Sequence, residues 1–112
     1  MSGAVALRLA SIHDKTKISA TEVADLLGTT SQTISRWRRN VVQPEQARLR
    51  LLLDIEWLAS QLADFYPPDE ARLWLFARHP LLDGDRPFDR MKAGQIEDVL
   101  ALIDQLRSGA VV

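Results

Sequence analysis

Apolar side chains return every three or four residues along almost the whole chain, and β-branched residues never alternate over a useful length. The pattern therefore predicts helices and no strands. Val5, Leu9 and Ile12 share one face of a first helix. Ser19-Ala20-Thr21-Glu22 is a capping box, in which the Ser19 hydroxyl and the Glu22 carboxylate satisfy backbone N–H groups reciprocally. It opens a short helix that should stop at Gly28, a residue suited to the left-handed backbone of a helix end. A third helix is expected from Ser31 to Arg39, with Thr30 as its N-cap.

Asn40 to Gln43 reads as a loop, and Pro44 suits the first position of a long helix. In that helix Leu51, Ile55, Leu58, Leu62 and Phe65 step by 4, 3, 4 and 3 residues. Leu52, Ala59 and Tyr66 widen the stripe enough to meet two neighbours or a second copy of the chain. Pro67-Pro68 ends it, because proline removes an N–H and pushes the preceding residue out of helical geometry. Asp69 and Glu70 favour a new helix start through its dipole. Pro80, Asp83-Gly84 and Pro87 mark a loop, followed by a short turn of helix over Phe88–Lys92. A final helix, Gln95 to Arg107, puts Ile96, Val99, Leu100, Ile103 and Leu106 on one side. Gly109 stops it and leaves a tail of Ala110, Val111 and Val112. The expected fold is all-α: a helix-turn-helix bundle with its long helix over residues 1–66, and a small helical domain over 67–112.

Charge divides the chain in the same place. Residues 1–50 carry eight basic and four acidic side chains, about +4, whereas the remainder carries six basic and eleven acidic, about −5. A basic half suits a polyanion and an acidic half suits a different partner. There are no cysteines among the 112 residues, which excludes disulfides and thiolate metal sites. Apolar runs, Leu51-Leu52-Leu53 among them, never exceed five residues, the length of Leu73–Ala77 and Val99–Ile103, and no basic segment precedes an apolar stretch at the N-terminus. The expectation is a cytoplasmic protein without a membrane span.

Two short helices joined at a glycine are the signature of a helix-turn-helix. Ala24 is small where the helices approach, and Val23, Leu27, Ile34 and Trp37 are spaced to form the shared core. Thr30, Ser31, Gln32, Ser35 and Arg36 then project from the part of the second helix that enters the major groove in this motif. Arginine reads a guanine edge and glutamine an adenine edge bidentately. Arg38 and Arg39 fall at the helix end, where phosphate contact is expected. No catalytic chemistry accompanies them: no nucleophile–base pair, phosphate loop or dinucleotide fingerprint is present. His13 and His79, the two histidines, lack partners at ligand spacing, so no metal site is expected, and His79 before Pro80 reads as a packing residue. Trp37 belongs in a core. Trp74 fits either a core or an interface anchor.

With Ser31-Gln32-Thr33-Ile34-Ser35-Arg36-Trp37 in place, the first half resembles an Xre-type, lambda repressor-like domain. Trp74-Leu75-Phe76, His79-Pro80-Leu81-Leu82-Asp83-Gly84, Arg86-Pro87-Phe88-Asp89, Gly94 and Val99-Leu100-Ala101-Leu102-Ile103-Asp104 resemble the C-terminal domain of the Xre/MbcA/ParS antitoxins. The resemblance implies an antitoxin that needs no cofactor and pairs with a RES-domain toxin, an enzyme that consumes NAD. It implies that the C-terminal domain docks on the toxin and that the tail approaches the NAD cleft. The N-terminal domain would let the complex, a homo-oligomer of the antitoxin within it, repress its own operon by binding operator DNA. The residues so implicated in toxin binding are Trp74, His79, Pro80, Leu81, Leu82, Leu106, Gly109, Ala110, Val111 and Val112. Two other readings stand beside it: a free-standing dimeric repressor, and a protein-binding module with a vestigial helix-turn-helix.

Overall fold

Each helix begins or ends at a residue whose own chemistry favours that boundary. The computed structural model describes residues 3–109, and over these it forms α1 (Ala4–Thr16), α2 (Ala20–Leu27), α3 (Ser31–Arg38), α4 (Gln46–Ala63), α5 (Pro68–Phe76), a 3-10 turn (Pro80–Leu82), α6 (Pro87–Lys92) and α7 (Ile96–Arg107). No strand occurs among the described residues, as the periodicity predicts. The capping box forms: Glu22 N–H donates to Ser19 Oγ at 3.1 Å, and Ser19 N–H to Glu22 Oε1 at 2.9 Å. Gly28 sits at φ +65, and the Gly28 and Thr29 N–H groups return to Asp25 and Ala24 carbonyls. These bonds satisfy the orphan carbonyls at the end of α2, and the reversed backbone turns the chain into α3. Thr30 Oγ1 accepts from Thr33 N–H at 3.2 Å, capping α3 as expected.

One helix start and one buried face differ from expectation. The long helix starts at Gln46, not Pro44, because Glu45 remains extended as its N-cap. Arg48 anchors that start by donating to the Leu27 and Gly28 carbonyls, tying α4 to the turn of the helix-turn-helix. In α7 the buried positions are Ile96, Val99, Leu102 and Ile103, with Leu100 and Leu106 only partly covered. The helix lies against both α4 and α6, so its buried face is rotated towards Leu102 relative to the single stripe read from the sequence.

A single apolar cluster runs from Val5 in α1 to Ile103 in α7. α1 packs on α4 and α5, and α6 packs on α2, α5 and α7, so the last helices lean on the helix-turn-helix instead of trailing from it. The α4 stripe is consumed inside the chain: Leu52, Ile55, Leu58, Ala59 and Leu62 are buried. Only Leu53 and Trp57, one turn apart on the opposite face, stay exposed on this helix as large apolar groups. Arg72 fastens α5 to the N-terminal helices by donating to both Glu22 carboxylate oxygens, at 2.7 and 2.8 Å, and to the Lys17 carbonyl. Its guanidinium also lies over the Phe76 ring, 4.5 Å from the centroid. Among the described residues no helix is long and apolar enough to cross a membrane.

Candidate functional site: a basic helix face and an acidic docking face

The first candidate surface is the outer face of α3. Val23, Ala24, Leu27, Ile34 and Trp37 are buried and set the spacing of α2 against α3. That packing leaves Ser31, Gln32, Arg36, Arg38 and Arg39 exposed, with Ser35 half-buried between them. Gln32, Ser35, Arg36 and Arg39 line one shallow concavity, as their i, i+3, i+4 and i+7 spacing requires. Arg38 is not part of it. It faces a separate groove beside Leu9, His13 and Asp14 of α1 and Ser19 and Ala20 at the start of α2. Thr30 spends its hydroxyl on the cap, accepting from the Thr33 N–H and sharing a second hydrogen bond with the Thr33 hydroxyl at 3.0 Å. Among the described residues no carboxylate lies within ion-pair distance of Arg36, Arg38 or Arg39. An unneutralised row of guanidinium groups on one helix is the electrostatic footprint expected of a polyanion-binding face.

The second surface lies at the other end of the sequence. Trp74, His79 and Leu82 are buried, so these three hold a surface up from beneath and do not form its exposed part. The His79 ring lies 4.8 Å from that of Trp74, and its Nε2 donates to the Trp74 carbonyl at 3.1 Å. His79 is therefore a packing residue, and Trp74 is core. Pro80 and Leu81, by contrast, stand exposed on the 3-10 turn. Leu106 is partly buried and Gly109 exposed, with φ +84, at the end of α7. Ala110, Val111 and Val112 lie outside the described residues.

The residue that organises this second surface was not singled out in the sequence. Arg90 of α6 donates from Nε to Asp85 Oδ2 at 2.8 Å, from Nη1 to Asp98 Oδ2 at 2.9 Å and from Nη2 to the Leu82 carbonyl at 2.8 Å. Asp83 lies at ion-pair distance as well, 3.7 Å away. The charge-assisted bonds to Asp85 and Asp98 raise the Arg90 pKa still further above its ordinary value. Nothing local marks Arg90 as different from the other basic residues of α6; only the folded arrangement brings three aspartates to it. Across the turn, Ala101 and Gln105 of α7 face Leu81 over a groove of about 240 Å³. The exposed face of α7 adds Glu97 and Asp104, which makes the patch beside the turn acidic, although residues 78–107 as a whole carry five basic against six acidic side chains.

Comparison with known proteins shows the family. Residues 56–109 match the family described as the antitoxin Xre/MbcA/ParS C-terminal toxin-binding domain. The mycobacterial cidal antitoxin MbcA of Mycobacterium tuberculosis and of Mycobacterium bovis is 32% identical over 91 residues, which cover 81% of this chain and 80% of that protein. A probable mycobacterial cidal antitoxin of M. tuberculosis is 31% identical over 96 residues, 85% of this chain and 81% of that one. A chain in the crystal structure of the M. tuberculosis MbcT–MbcA toxin–antitoxin complex superimposes with a TM-score of 0.84 and 27% identity, covering 98% of this chain and 99% of that chain.

Proposed function

This chain belongs to the Xre/MbcA/ParS antitoxin family, and from that premise we propose that it neutralises a RES-domain, NAD-consuming toxin by direct binding and represses its own operon as part of the complex. The observation that carries the reading is the joining, in one chain, of a region matching a toxin-binding domain to an unneutralised basic face on a helix-turn-helix. The roles divide by charge. The α3 face, with Gln32, Ser35 and Arg36 at its centre and Arg39 at its edge, takes operator DNA: Arg36 and Gln32 meet base edges, while Arg39 and Arg38 meet phosphates. The acidic patch, with Pro80, Leu81 and the exposed face of α7, takes the toxin. Two such units are needed to read paired half-sites, so the antitoxin acts as a homodimer within the complex.

Inhibition is assigned to the tail that follows Gly109. Ala110, Val111 and Val112 carry small apolar side chains that could enter a narrow, mostly apolar ligand cleft. Their area is small, so at roughly 25 cal/mol per Å² they supply only a few kcal/mol, and affinity must come from the docking surface. Binding and inhibition therefore separate. The test is co-expression of the neighbouring gene product, expected to be a RES-domain toxin, with the full chain and with a chain lacking residues 109–112. The truncated antitoxin should still co-purify with the toxin but fail to prevent NAD loss and growth arrest. If it protects as well as the full chain, inhibition comes from occlusion elsewhere. If the full chain neither co-purifies nor protects, the antitoxin reading itself is wrong.

A further inference from the structure

Leu81 is more than half exposed, 56% of its surface, on a turn whose backbone is closed on every side. His79 N–H donates to the Asp85 carbonyl, Gly84 N–H to that of His79, and Asp83 N–H to that of Pro80. Arg78 donates to the Gly84 carbonyl from outside, and Arg90 donates to the Leu82 carbonyl from within. Beneath the turn, the His79 ring is fixed against Trp74. A solitary exposed leucine is ordinary; one carried on a loop tied by this many bonds has already lost the freedom that binding would otherwise cost.

We infer that Leu81 is the apolar anchor of toxin docking and that Arg90 is the positioning residue that holds it beside α7. This rests on the antitoxin reading and names where its partner grips. The partner's chemistry follows from charge. Arg90 faces Asp83, Asp85 and Asp98, and Arg78 lies on the outside of the turn, so these five side chains keep a net charge of about −1 by formal count; Glu97 and Asp104 on the exposed face of α7 bring the patch to about −3. The fitting surface on the toxin is an apolar pocket for Leu81 with arginine or lysine at its rim. The small side chain of Ala101 leaves room beside Leu81 for the wall of that pocket, and Gln105 offers it a polar contact.

Arg90 touches the partner little, since only 16% of its side chain is exposed. It acts through Leu81, and that dependence separates positioning from general support. The experiment measures affinity for the proposed RES-domain toxin, carrying an inactivating active-site substitution, using Leu81→Asp, Arg90→Ala and the double variant. Thermal unfolding and amide exchange accompany each measurement. Leu81→Asp alters an exposed position, so it should leave the melting temperature unchanged and weaken toxin binding about tenfold or more. Arg90→Ala should speed exchange at the Gly84 and Asp85 amides and weaken binding. The double variant should bind no worse than Leu81→Asp alone.

Wild-type affinity in Leu81→Asp overturns the anchor. Losses that add fully in the double variant overturn the positioning role. A Leu81→Asp variant that binds toxin normally but no longer self-associates shows that the face serves a second copy of the chain. Failure of the wild-type chain to bind toxin sinks the antitoxin reading and this inference with it, and is distinct from the other three results.

Discussion

Replacing Glu22 by glutamine should destabilise the protein at neutral pH and hardly at all in acid. Glu22 has two structural duties. It caps α2 through the Ser19 N–H, and it receives the Arg72 fork that joins α5 to the helix-turn-helix. The Arg72 guanidinium is the main reason that the Glu22 carboxyl is held at about 2, against 4.5 for a free side chain; partial burial opposes the shift, and the Ser19 N–H reinforces it. At about 1.4 kcal/mol per pKa unit, that difference caps the ionised carboxylate's contribution near 3 kcal/mol. The Arg72 side chain is 40% exposed, and solvent screening reduces the figure to about 1–2 kcal/mol. Glutamine keeps an oxygen for the Ser19 N–H and loses the charge, so its cost isolates the ionic part. A folded-state pKa below the unfolded one means that this stability is complete above about pH 4.5 and drains away as the pH falls towards 2. Urea unfolding at pH 7, 5 and 3 should therefore show a gap of about 1–2 kcal/mol between wild type and Glu22→Gln at the first two values, narrowing at the third. Glu22→Ala should cost about 1 kcal/mol more, because the cap is lost too. A gap that does not change with pH, or no gap at pH 7, would refute the assignment of stability to the ion pair.

Three other predictions follow from particular residues. Arg36→Ala should weaken operator binding by about 1–3 kcal/mol and relax preference at one base position, whereas Arg39→Ala should weaken binding to all sequences equally; gel shifts over a salt series distinguish them. Lys17 ends α1 at φ +60, a conformation that costs a side-chain-bearing residue about 1 kcal/mol, and its pair with Asp69 is exposed and long at 3.8 Å. Lys17→Gly should therefore raise the melting temperature, and a lowered one would show that the pair outweighs the backbone. Leu53 and Trp57 should lie in the antitoxin homodimer contact, so Trp57→Glu should give a monomer by light scattering; a monomeric wild type at tens of micromolar would remove the dimer altogether.

Local chemistry wrote most of the secondary structure into the sequence. The capping box at Ser19, the left-handed Gly28 and the Thr30 cap act over three or four residues, and each appears where it was expected; α4, however, ends at Ala63, short of the Phe65 and Tyr66 expected on its stripe, and Pro67-Pro68 opens α5. The α3 face was legible for the same reason: helical spacing alone puts Gln32, Ser35, Arg36 and Arg39 together. What required tertiary structure was every decision about which neighbour covers which face. Trp74 and Trp57 are both large apolar groups on helices, yet α5 turns the first into the core and α4 leaves the second on the surface. The same holds for charge. Arg38 and Arg39 are adjacent in sequence but face different grooves; Arg72 finds its carboxylate 50 residues away, and Arg90 gathers three from five to eight residues away on either side of α6. Helix propensity and capping depend on bonds to the nearest turn. Burial and ion pairing depend on how whole helices cross, and that geometry is a property of the assembled core.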